Sequence, residues 1–99
     1  MKVPVVLRDD YTMFLELFEG MLWFHTDVRR WTNEVKNKYL EDLNVLQQLV
    51  TIPLVALVEE QDNKLAKFGA VTGWKKFDKV VFNEVKYDIY SRSKPWVKQ

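Results

Sequence analysis

The chain has 99 residues, of which 47% are hydrophobic and 14% aromatic, with a formal net charge of +1 and no cysteine. That length makes one domain with a real apolar core, and the charge balance excludes the broad positive field of a general nucleic-acid or membrane-surface binder. The missing cysteines exclude disulfides, thiolate nucleophiles and zinc–thiolate sites together.

No apolar run approaches the roughly 18 residues of a membrane span, and the first ten residues are too weakly apolar for a secretory leader. The expectation is therefore a soluble cytoplasmic chain without a membrane partner. A domain this small buries a modest share of its surface, so homo-oligomerisation would help it.

Taken in order, Val3 to Leu7 is β-branched and apolar with Pro4 near its start, which predicts a short edge strand. Asp9 and Asp10 supply cap chemistry for a helix over about residues 10–19, along which Tyr11, Phe14, Leu15, Leu17 and Phe18 recur at helical spacing. Gly20 would end that helix. Met21-Leu22-Trp23-Phe24-His25 is a short continuous apolar run, the mark of a buried strand.

Thr26 or Asp27 can cap a long second helix. Val28, Trp31, Val35, Tyr39, Leu43, Leu46 and Val50 form its inner face, and Leu40, Val45 and Leu49 widen the stripe toward its end. Ile52 to Val58 reads as a central strand. Lys64 to about Thr72 reads as a short helix turning Leu65, Phe68 and Val71 inward, with Gly73 as its stop. Trp74–Phe82 and Val85–Tyr90 alternate as two strands joined by a tight turn at Asn83-Glu84.

The predicted order is β-α-β-α-β-α-β-β, a single α/β domain over residues 1–92 with a mixed sheet flanked by helices. Residues 93–99 form a basic C-terminal tail. From Met21 to Arg92 this pattern resembles the C-terminal half of the fold of the GNAT superfamily of N-acetyltransferases. The nearest local cue is Asp62-Asn63-Lys64-Leu65-Ala66-Lys67-Phe68 followed by Gly73-Trp74, similar to that family's late helix ending in Gly-aromatic. The aromatic strand, the His-Thr-Asp-Val junction and the Lys-Phe pair are also similar to small GNAT-like proteins of tailed bacteriophages, some of them virion proteins.

That resemblance implies acetyl-CoA as cofactor and acyl transfer as activity, but two of its parts are absent here. The family binds the coenzyme A pyrophosphate on a glycine-rich loop entering the long helix. The corresponding residues, His25-Thr26-Asp27-Val28-Arg29-Arg30, contain no glycine, and Asp27 adds negative charge. The family also often places a tyrosine, as general acid, four residues before the Gly of Gly-aromatic. Gly69 holds that position, or Leu65 in an alternative register, and neither can donate a proton. The strands on the acceptor-substrate side are shortened to Val3–Leu7.

The remaining candidates are few. His25 is the only histidine, with an ordinary pKa near physiological pH; a structural role at the strand end competes with that of a base. If acetyl-CoA binds, His25, Arg29 and Arg30 are its expected contacts. Glu59, Glu60 and Asp62 gather oxygens but lack a second acidic motif for a cation, so no metal is expected. Lys75, Lys76 and Lys79 with Trp74, Tyr87, Tyr90 and Trp96 would suit a nucleic acid, against the overall charge balance.

The resulting expectation is a non-catalytic GNAT-like protein-interaction module with no cofactor, facing a host protein or a virion component. Trp74, Trp96, Leu40 and Val45 are its expected partner-binding residues. An acetyl-CoA-dependent N-acetyltransferase is the alternative, and a nucleic-acid binder the third reading.

Overall fold

The structure, a computed structural model, describes residues 1–93. Trp96 and most of the basic tail lie outside the described residues. Six strands form one mixed sheet. They are β1 (Val3–Leu7), β2 (Tyr11–Phe18), β3 (Met21–Val28), β4 (Leu54–Glu59), β5 (Lys75–Phe82) and β6 (Val85–Arg92). Helix α1 (Asn33–Leu49) connects β3 to β4, and α2 (Asn63–Val71) connects β4 to β5. The strand order is β1-β2-β3-β4-β6-β5, antiparallel throughout except where β3 runs parallel to β4. A mixed sheet flanked by helices is thus what the chain builds.

The segment expected as a first helix is strand β2, paired along its whole length with β3 from Tyr11↔Val28 to Phe18↔Met21. Tyr11, Met13 and Leu15 point to the core while Thr12, Phe14 and Glu16 point away, a period of two that the apolar pairs Phe14-Leu15 and Leu17-Phe18 disguise as a helical one. The deciding signal is Glu19-Gly20, both at positive φ (51° and 76°), which makes a two-residue hairpin turn rather than a helix stop.

The long helix also starts later than expected. β3 continues through Val28, so Thr26 and Asp27 are strand residues and cap nothing. Thr32 is the N-cap, its hydroxyl accepting from the Val35 amide at 3.1 Å. Trp31 lies before the helix and packs edge-on against Tyr39 and Phe68, with ring centroids 5.5 Å away in each case. In α2 only Phe68 turns toward the core as expected, whereas Leu65 and Val71 are exposed. The turn at Asn83-Glu84 is present, with φ of 50° and 67°.

The core gathers alternate residues from one side of the sheet: Tyr11, Met13, Phe24 and Leu54, with Leu15, Leu22, Ala56 and Tyr90 partly buried beside them. Val35, Tyr39, Leu43 and Leu46 of α1 close over that side, joined by Phe68 of α2 and Trp74. Both crossovers run between parallel strands in the same direction across the sheet, so right-handed connections put both helices on one face. The opposite face carries no helix among the described residues.

A cleft between diverging strands

β3 and β4 pair only at Leu22↔Leu54 and Trp23↔Val55, although β3 runs on to Val28 and β4 to Glu59. Beyond Trp23 the two strands part, and backbone amides and carbonyls on the facing edges are left without ladder partners. A cleft of about 340 Å³ opens there. Phe24, Tyr39, Phe68, Trp74 and Tyr90 line it on the helix side, and Lys2, Trp23, His25 and Leu57 on the other. The α2 backbone at Gly69 packs beside Trp74, where an added Cβ would stand 3.5 Å from the Trp74 Cβ, an ordinary contact.

His25 lies within β3 opposite Phe14, and its Nε2 is 3.1 Å from Glu16 Oε1. The other Glu16 oxygen accepts from the N-terminal ammonium at 3.3 Å. The N-terminal ammonium first, then His25, hold the Glu16 carboxyl below its ordinary pKa. His25 is thus oriented by a carboxylate at the wall of a cleft, the arrangement a base requires and equally that of a structural pair. Nothing in the sequence marks Glu16, because its partnership depends on the β2–β3 register. Tyr39, also in the cleft wall, has its pKa raised by burial, with Thr26 acting against the shift, so its hydroxyl remains a proton donor.

The structure does not bring Arg29 and Arg30 to His25. The Arg29 guanidinium turns onto the β1–β2 connection, donating to the carbonyls of Asp9 and Arg8 at 3.1 and 2.6 Å and to the Thr12 hydroxyl at 3.0 Å. It also pairs with Asp27 at 2.9 Å. With those partners its donors are largely committed. Arg30 is exposed and is held through its backbone amide, which donates to the Asp10 carbonyl at 3.2 Å.

The expected partner-binding residues divide likewise. Trp74 is 8% exposed and packs beside Phe24 in the core, where what it shows is part of the cleft wall rather than the outer surface. Its place follows from the turn at Gly73 (φ 96°), which carries the chain back over α2 so that the Trp74 amide donates to the Gly69 carbonyl. Leu40 is half-buried; Val45 is exposed, on a shallow groove shared with Leu49 of α1 and Val5 and Leu7 of β1. Trp96 lies outside the described residues.

Several other charged groups lie near partners within the chain. Asp62 caps α2 by accepting from the Leu65 amide, and Glu60 lies 3.8 Å from Lys79. Lys76 lies 3.7 Å from Asp88. Among the described residues no group of acidic or histidine side chains could hold a metal ion, and no helix is long and apolar enough to cross a membrane.

No family model and no curated protein matches the chain. One solved structure, assigned to the GnaT acetyltransferase family and from Bordetella pertussis, superposes with a TM-score of 0.70 over 85% of this chain at 11% identity. The chain spans 57% of the length of that one. At that identity the likeness is one of fold, and it gives this chain a GNAT-like architecture.

Proposed function

We propose that the chain is a GNAT-like module that works by binding a protein, without acyl-transfer chemistry. The observation that carries this reading is the side of the sheet that no helix covers among the described residues. Leu57, Val80 and Phe82 are exposed on it (46%, 38% and 65%), with Trp23, Tyr87 and Ile89 half-buried beside them. Apolar patches of this extent mark interaction sites on soluble domains. A host protein or a virion component is the partner class that the resemblance to phage GNAT-like proteins suggests. A photo-crosslinking residue at Leu57 tests it. Covalent capture of another chain from Leu57, and none from Leu49 on the helix side, is the expected result; no product from Leu57 overturns the reading.

The cleft favours a second reading, acetyl-CoA binding. Unpaired strand edges suit a narrow extended arm bearing amides, and Tyr39 offers a protonated hydroxyl inside. Against it stand the glycine-free β3–α1 connection and Glu34 in the first turn of α1, where phosphates would meet negative charge. A calorimetric and thermal-shift titration with acetyl-CoA separates the readings: ligand at about 100 times its Kd would stabilise the fold by about 2.7 kcal/mol. No shift is the outcome expected here.

A further inference from the structure

We infer that the open sheet face is the interface between two copies of this chain, packed sheet on sheet about a two-fold axis. The inference rests on the binding reading above and names its partner. Strand register fixes what this face displays. Residues across from one another share a side, so Phe14, Trp23, Leu57, Val80, Tyr87 and Ile89 lie together opposite the helices. The charge at its interior, Glu16, is already answered by His25 and the N-terminal ammonium. The remaining acids stand toward the margins: Asp27, paired with Arg29, and Glu59 at strand ends, and Asp78 on the edge strand. The Lys2 ammonium stands over the Phe14 ring, 5.9 Å from its centroid, and Lys75 lies at the far strand end, so the apolar part of the face is centred on Trp23, Leu57, Tyr87 and Ile89.

The dimensions select the occupant. Six strands about 4.8 Å apart span about 24 Å, and strands of five to eight residues run about 24 Å on average, giving a face of about 570 Å². Two such faces bury about 1,150 Å² in total, above the roughly 1,000 Å² that a biological interface must clear. A single helix, about 10 Å wide, would leave more than half of that width open. A second sheet of the same twist matches the whole face, because equally twisted sheets stack aligned at about 10 Å. An isologous contact also closes on itself and leaves no copy of the face exposed.

Sedimentation equilibrium of the full chain tests this. At about 100 μM the expected mass is twice the 11.9 kDa of one chain, falling toward one on dilution. Leu57→Glu and, independently, the edge substitution Val80→Glu should each weaken the dimer at least about 100-fold while circular dichroism stays native. Leu49→Glu and Val71→Glu, both on the helix side, should leave it intact. A monomer at about 100 μM overturns the inference, as does a dimer broken by Leu49→Glu and indifferent to both sheet-face variants. If the monomer still crosslinks from Leu57 to a chain of different mass, self-pairing fails and the binding reading survives. A monomer without any crosslink removes both.

Discussion

Asp42 ties α1 to the first hairpin through two side chains. Arg8 Nε and Nη2 donate to its two oxygens at 3.0 Å each, and the Tyr11 hydroxyl donates to one of them at 2.5 Å. Burial pushes the Asp42 carboxyl up, but the hydrogen bonds from Arg8 and Tyr11 outweigh it, so its pKa lies below the ordinary value. Burial first, and then the bond to Asp42, push the Tyr11 hydroxyl up, keeping it a donor across the neutral range. A carboxylate whose folded pKa is depressed adds stability that is present above its unfolded pKa, near 3.9, and is lost as pH falls through the folded one. Asp42→Asn should therefore cost about 1–3 kcal/mol at pH 7 in urea unfolding. It should also flatten the loss of stability below about pH 4; an unchanged acid limb would show that other carboxylates carry it. None of this triad was legible in the sequence. Arg8 and Asp42 are 34 residues apart, and an arginine beside a helix face is ordinary until the fold closes. The same holds for Glu16 and His25, whereas His25 alone stood out as the one histidine in the chain.

Elements were legible where only one period fitted the residues. Val3–Leu7, the central strand (expected over Ile52–Val58, present as Leu54–Glu59), α2 and the C-terminal hairpin are all present, and each carries a turn or cap residue at its end. Residues 10–19 are ambiguous because four apolar residues in two adjacent pairs fit a helix stripe as well as a two-sided strand, and Asp9-Asp10 imitates a cap. The β2–β3 turn is the feature that resolves the ambiguity, so its energetics are worth isolating. Gly20 sits at φ +76°, and nothing lies within 4 Å of where its Cβ would be. Gly20→Ala therefore meets no clash, and its cost is the left-handed backbone alone, about 1 kcal/mol. Thermal unfolding should show a drop of that size, corresponding to about 4–8 °C for a domain this small. Gly20→Asn, which tolerates that region, should recover most of it. Equal losses for Ala and Asn would mean that the turn needs more than conformational freedom.

At the scale of the whole molecule, the consequential feature is where the sheet stops being continuous. β2–β3 is paired over eight positions, while β3–β4 is paired over two. Sequence periodicity could announce that β4 is central but not that its partner leaves it, because divergence of parallel strands is decided by how α1 packs. The consequence can be measured amide by amide. Along Phe24–Val28, successive amides point alternately toward β2 and toward β4. Those toward β2 lie inside a full antiparallel ladder and should exchange with solvent only on global or near-global opening. Those toward β4 line the cleft without a ladder partner and should exchange markedly faster. Added acetyl-CoA supplies a second readout at the same amides: protection there would revive the cofactor reading. Protection that instead grows with protein concentration, at residues of the open sheet face such as Leu57 and Ile89, would belong to self-association. Equal, slow exchange on both sides of β3 in the free chain would mean that the strands close in solution, and the cleft would then have no standing as a site.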